Sequence, residues 1–259
     1  MTLLGVEGLG KEFGGIHAVE DLSFSVSPGH IHSIIGPNGA GKTTLFNLIT
    51  GIYVPSSGRI RFRDEDIAGR RGFELAGLGI SRSFQNLQIF FNMTALENVM
   101  VGRHLHIRRG LLASLLHFPG LVESDRRCEA RARELMDYVG LGQWLDAEAD
   151  AMPYGALKRL EIARALASEP ALLLLDEPAA GCNEQETAEI TDLIRRIAAD
   201  GTTVLLVEHD MKLVMGISDH IVVLDYGRKL AEGRAEQVRE NPEVIAAYLG
   251  AGALSGGED

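Results

Sequence analysis

Along the chain, short unbroken apolar runs alternate with stretches in which apolar residues recur three and four apart. Ile31 to Ile35 reads as a buried strand entering a glycine-rich turn, and Thr43 to Thr50 as the helix that follows it. Ala171 to Leu175 and Thr202 to Val207 are continuous apolar runs closed by turn signals, the pattern of strands in a parallel sheet covered on both faces. The core is therefore expected to be α/β. Between these strands, residues 94–147 change character: TALENVMVG, LLASLLHF and ESDRRCEARARELMDYVGLGQWL carry helical spacing, which predicts an α-helical insertion at about 86–158. His104 to Phe118 mixes basic and apolar residues, so it suits either a helix lying on a membrane surface or an ordinary helix pair with its loop.

Length and composition narrow the picture. At 259 residues, with 46% hydrophobic and 24% charged residues, the chain is expected to form one compact body carrying an insertion. A formal charge of −11 argues against a nucleic-acid backbone as the main partner, because phosphate backbones are bound by clustered Lys and Arg. Cys128 and Cys182 are too few for a disulfide framework, and the start MTLLGVEGLGKEF lacks the basic-then-apolar pattern of a secretory signal, which points to a reducing cytosol. No apolar stretch approaches the roughly 20 residues of a spanning helix. Any service to a membrane is then expected from outside it.

Two motifs carry chemistry. Gly36, Pro37, Asn38, Gly39, Ala40, Gly41, Lys42 and Thr43 fit G-x-x-x-x-G-K-[ST] between a strand and a helix, with Thr44 continuing into the helix. Phosphate oxygens need several backbone N–H donors close together, and glycines let the backbone turn tightly with no Cβ in the way. The helix N-terminus adds its dipole. Lys42 can reach β and γ phosphates, and the Thr43 hydroxyl can take one position of an octahedral Mg²⁺. The second motif is the run Leu172 to Leu175, which delivers Asp176 and Glu177 at a strand's C-terminal end, where open α/β sheets bind ligands. Asp176 is assigned to the metal shell and Glu177 to polarising the attacking water, since a metal ligand gives up the basicity a water activator needs. An exposed pair of strand-end acids is the plain alternative.

With these motifs placed, the chain resembles the ABC transporter ATPase family over nearly its whole length. Gln85 in SRSFQNLQIF resembles the family's glutamine between core and insertion, which implies that it touches Mg²⁺ and senses the γ-phosphate. His209 in LLVEHDM resembles the switch histidine that holds γ-phosphate and water, and Phe13 in KEFGG the aromatic that stacks on adenine, with a core phenylalanine as the alternative. MPYGALKRLEIARAL takes the place of the family signature, usually L-S-G-G-Q, but departs from it. Pro153 stands for serine, Tyr154 for the first glycine and Ala156 for glutamine, while Gly155 is kept. The serine hydroxyl is absent, yet backbone N–H donors around Tyr154 and Gly155 can still meet a phosphate. In AAGCN, at the place of the D-loop, Asn183 stands where aspartate is common, and Cys182 reads as a small packing residue. The stretches LEIARAL, LLLLDEPAAG, VEHDMKLVMGISD and NPEVIAAYLG look most like the LivG-type subunits of branched-chain amino acid importers, a pattern shared with urea and other amide or amino-acid uptake systems.

The resemblance implies a P-loop NTPase with a RecA-like, mainly parallel core at about 1–85 and 159–250, an N-terminal antiparallel β part, a helical subdomain at about 86–158 and a flexible tail at 251–259. It implies ATP and Mg²⁺, with Thr43, Gln85 and Asp176 as metal contacts and Glu177, His209 and Gln85 as catalytic residues. Two ATPase subunits, identical or paralogous, would face head to tail, each ATP lying between the phosphate loop of one and the signature of the other. They would sit on the inner face of the cell membrane, bound to integral permease subunits and served by an extracytoplasmic substrate-binding protein. A soluble ATPase of DNA repair or translation is disfavoured by the single cassette and acidic charge. A regulatory ATP-binding module gains from the altered signature and loses from intact Lys42, Asp176, Glu177 and His209.

Overall fold

The computed structural model describes residues 2–83, 87–106 and 119–254. Its centre is a six-stranded sheet in the order β10-β9-β3-β8-β7-β6. Strands β3 (Ile31–Ile35), β6 (Ile80–Arg82), β7 (Leu172–Asp176), β8 (Thr203–Val207) and β9 (His220–Asp225) run parallel, and β10 (Arg228–Gly233) closes one edge antiparallel to β9. Every residue of β3, β7 and β8 is buried, as expected for strands covered on both faces. A second, antiparallel sheet in the order β2-β1-β4-β5 is formed by β1 (Leu4–Phe13), β2 (Ile16–Val26), β4 (Ser57–Phe62) and β5 (Glu65–Asp66).

Helix α1 (Lys42–Ile49) lies between the two sheets. Its Leu45, Phe46, Leu48 and Ile49 share one apolar cluster with Leu4, Leu9, Leu22 and Ile60 of the small sheet and Leu172, Leu174 and Leu205 of the large one. The helix that begins at the phosphate loop is thereby clamped from both sides. After α2 (Gly72–Leu78) and β6 come α3 (Ala95–Gly102), α4 (Pro119–Tyr138) and α5 (Tyr154–Leu166). Thr94 caps α3 in a reciprocal box with Glu97, and Ala95 and Val99 join Ala132, Met136, Leu160 and Ala163 in the second apolar cluster. Helix α6 (Glu184–Ala199) buries Ile190, Leu193, Ile194 and Ile197, the spacing of one helix face, on the same cluster. Helices α7 (Met211–Ile217), α8 (Ala235–Arg239) and α9 (Pro242–Leu254) cover the β9–β10 end.

Two local expectations change. The helical pattern read through ESDRRCEARARELMDYVGLGQWL stops at Tyr138, because Gly140 adopts φ 74 and turns the chain into a short 3-10 segment at Gly142–Trp144. Helix α9 continues through 251–254, expected to belong to the tail, where Ala and Leu are good helix formers. Residues 255–259, and the LLASLLHF stretch, lie outside the described residues. Among the described residues, no helix is long and apolar enough to cross a membrane.

Candidate nucleotide site

The phosphate loop joins β3 to α1 at the C-terminal edge of the large sheet. Its turns demand glycine at two places. Gly36 (φ 154) is pressed so closely on the β9–β10 hairpin that a Cβ would run into the carbonyl oxygen of Leu224, and a Cβ on Gly41 (φ 98) would run into that of Ala18. Gly41 is also the N-cap of α1, with no side-chain cap and no acidic residue in the first turn, so the first N–H groups of the helix keep their donors for another acceptor. The Lys42 amine folds back over this cradle and donates to the carbonyl oxygens of Gly36 at 2.6 Å and Pro37 at 2.9 Å. Burial lowers its pKa, against the opposing pull of Glu177 and Asp176. Thr43 and Thr44 follow it in the first turn of α1. A loop that a Cβ would fill, an uncapped helix start and a lysine resting on loop carbonyls together fit a nucleotide's phosphates.

Asp176 ends β7, and Glu177 follows it in a left-handed conformation (φ 49) held by its N–H donating to the Val207 carbonyl at 2.8 Å. The two carboxylates are thereby turned into different surroundings. Asp176 is nearly fully buried and paired with Arg82 at 2.7 Å. Burial raises its pKa, and the Arg82 hydrogen bond and charge oppose that rise. A carboxylate at the end of β7 and a hydroxyl in the first turn of α1 are hard oxygen donors of the kind that fit Mg²⁺, which takes one or two protein oxygens together with phosphate oxygens. Glu177 is partly open and lies 3.8 Å from Nδ1 of His209, whose side chain is 64% exposed on the segment after β8. The backbone of that segment is fixed by Glu208, a buried carboxylate accepting from the N–H groups of Ala179, His209 and Asp210. Neither Arg82 nor Glu208 was expected from sequence. Each reaches a partner remote in the chain, Asp176 for Arg82 and Ala179 for Glu208, and nothing local in the sequence marks that reach.

Phe13 sits at the tip of the β1–β2 hairpin, 42% exposed, with its ring edge-on to Tyr53 at 5.2 Å and the Lys11 amine 4.9 Å from its centroid. The same hairpin brings Ala18 against Gly41. At 42% exposed the ring is not a core phenylalanine, and an open aromatic face is of the kind that can stack on a base.

The altered signature opens α5, with Pro153 as a cap that supplies no side-chain hydrogen bond. Tyr154 and Gly155 engage the segment 180–186 of their own chain. The Tyr154 hydroxyl donates to the Ala180 carbonyl at 3.2 Å, its ring lies over Gly181, and the Gly155 N–H donates to Glu186 Oε1 at 3.2 Å. Lys158, one turn on, is buried and donates to the Glu177 carbonyl at 3.4 Å. Asn183, in place of the usual aspartate, caps α6 in a reciprocal box with Glu186. Burial, then Glu186, raises the Cys182 thiol pKa, which suits a packing residue. Gln85 lies outside the described residues.

The fold and the loop-plus-carboxylate geometry are those of a nucleotide-hydrolysing cassette, and comparison with known proteins agrees. The ABC transporter family model matches residues 19–180, and that of the branched-chain amino acid ATP-binding cassette transporters matches residues 228–253. The chain belongs to the ABC transporter family, as an ATP-binding cassette ATPase. It is 46% identical over 249 residues to the high-affinity branched-chain amino acid transport ATP-binding protein BraF of Pseudomonas aeruginosa, covering 96% of this chain and 98% of that protein. It is 45% identical over the same length to the corresponding protein LivG of Escherichia coli, with the same coverage. Among solved structures, a nucleotide-free ATP-binding cassette from an ABC transporter matches with a TM-score of 0.84 at 33% identity, covering 96% of this chain and 99% of that one. The ADP conformation of an ATP-binding cassette of an ABC transporter matches with a TM-score of 0.84 at 34% identity and the same coverage.

Proposed function

We propose that this chain is the Mg-ATP-hydrolysing subunit of an importer for branched-chain amino acids or a related small amino-acid or amide substrate. The observation that carries this reading is the convergence of three groups at one sheet edge: the Lys42 cradle, the Asp176 carboxylate and the Glu177–His209 pair at 3.8 Å. The similarity to BraF and LivG over nearly the whole chain supports the substrate class.

In this reading the glycine loop and α1 hold the β and γ phosphates, and Lys42 leaves its loop carbonyls for them. Mg²⁺, held by Thr43 and Asp176 with Gln85, would supply charge neutralisation between the phosphates. Glu177 accepts a proton from the attacking water, and His209 orients that water and the γ-phosphate. Most of the rate then comes from alignment and electrostatics. Phe13 stacks on adenine. A second ATPase subunit, identical or paralogous, completes each site through Tyr154 and Gly155 at its signature. Permease subunits in the cell membrane dock on the helical part at about 86–158 beside Gln85, with the RecA-like core at about 1–85 and 159–250, and an extracytoplasmic protein delivers substrate.

One observation favours a second reading. The Gly155 N–H, the donor a partner's phosphate would need, is already taken by Glu186, which suits a module that binds ATP without turnover. Phosphate release with Mg-ATP, measured on the chain alone and with permease in lipid, separates the two. Turnover that rises with permease and drops at least a hundredfold in Glu177→Gln is expected, on the scale of losing a general base. Nucleotide binding without turnover in every condition selects the regulatory module.

A further inference from the structure

The buried arginine at the end of β6 has no role in the sequence motifs, yet it ties together two elements of the nucleotide site, β7 and α1. Arg82 donates from Nη2 to Asp176 Oδ2 at 2.7 Å and from Nη1 to Asn47 Oδ1 at 2.7 Å and Thr50 Oγ1 at 3.1 Å. Its guanidinium carbon lies 5.5 Å from the Phe46 ring centroid. The side chains of Arg82 and Asp176 are 8% and 2% exposed, so the pair is withdrawn from water on both sides. The next residue adds to the grip, because Ser83 Oγ accepts from the Asp176 N–H at 3.3 Å while the Ser83 N–H donates to the Leu174 carbonyl at 2.9 Å.

We propose that Arg82 is a positioning residue that sets Asp176 against Thr43 for the metal ion, an inference that rests on the Mg-nucleotide reading above. A carboxylate has two oxygens, and fixing Oδ2 on a rigid fork fixes its plane, leaving Oδ1 as the oxygen a metal would take. The other arm of the fork holds Asn47, one turn along α1 from Thr43 and on the same face of that helix. One guanidinium thus references two of the proposed protein ligands, Asp176 and, through Asn47, Thr43, to each other across β7 and α1. A structural ion pair alone asks for no third partner, and a buried pair contributes little net stability over apolar packing of the same size. Geometry that fixes a metal ligand through an outer partner has a measurable signature, since losing such partners costs tenfold to a hundredfold in metal affinity.

The test is equilibrium binding of a fluorescent ADP to the purified chain, with Mg²⁺ and with EDTA, for the parent, Arg82→Lys, Arg82→Met and the reference Asp176→Asn. The readout is the ratio of the two dissociation constants. In Arg82→Met the magnesium-dependent gain should fall about tenfold, toward that of Asp176→Asn, with binding in EDTA within about twofold of the parent. Arg82→Lys keeps the charge but loses the fork and should fall between. A parental ratio in Arg82→Met, or an equal weakening with and without magnesium, would overturn the proposal, the latter by showing a purely structural role. If Arg82→Met fails to fold by circular dichroism, a parental ratio in Arg82→Lys overturns it equally. A parent whose ADP binding ignores Mg²⁺ would instead defeat the metal assignment, and the role of Arg82 with it.

Discussion

Two helices in this molecule begin at sites that family resemblance assigns to phosphate, and they begin differently. Helix α1 starts behind a glycine loop with no side-chain cap and no acid in its first turn, and a lysine amine rests on the loop carbonyls. Helix α5 starts at Pro153, also without a cap of its own, but the carboxylate of Glu186 has settled on the Gly155 N–H. Both ends carry the same partial positive charge. One is open to an outside anion, and the other holds an internal one. A helix N-terminus is therefore an anion site only when no neighbour in the fold has already supplied the anion.

That contrast can be broken most sharply at Lys42. Lys42→Ala should weaken nucleotide binding a hundredfold or more, about 3 kcal/mol for a charged hydrogen bond to phosphate, in a fluorescent ADP titration. A loss below tenfold would mean that the loop and helix end do most of the holding. Gly36→Ala should destabilise the fold by about 2 kcal/mol in chemical denaturation, because the Cβ has nowhere to go but into the Leu224 carbonyl. Unchanged stability would show that the hairpin yields. At the other helix, Glu186→Gln in a Glu177→Gln background should lower the ATP needed for half-maximal association with the second ATPase subunit by about tenfold, as the competing charge leaves. A rise in that concentration would reverse the comparison and make Glu186 a support of the signature. The smallest effect is expected for Tyr154→Phe, which keeps the ring over Gly181 and removes one hydrogen bond to Ala180, costing about 1 kcal/mol in thermal unfolding.

The phosphate loop and β7 with its two acids were legible in the sequence because each is a contiguous run whose chemistry and geometry are set by near neighbours. The parallel core was legible for the same reason, since residues buried on both faces leave an unbroken apolar string. The reach of Arg82 to Asp176 spans 94 positions and that of Glu186 to Gly155 spans 31, and no periodicity links such pairs. Glu208 reads as one more acid before a histidine, although it holds three amides. The end of α4 was misplaced because Val139 and Leu141 continue the apolar spacing beyond the point where Gly140 has turned the backbone. Tyr154 is expected at the nucleotide of a second subunit, and within its own chain its hydroxyl donates to the Ala180 carbonyl, a link of 26 positions that the sequence does not display.

Glu177 holds its side chain toward His209 from a backbone conformation that suits glycine. Glutamate at that position carries left-handed strain on the order of 1 kcal/mol or more that glycine would not. Selection for folding alone would drift this codon toward glycine, whereas the proposed role of Glu177 in activating water would hold it at glutamate. A library screened for thermal resistance and one screened for growth on the transported nutrient should therefore part company at this residue before they do elsewhere in the cassette.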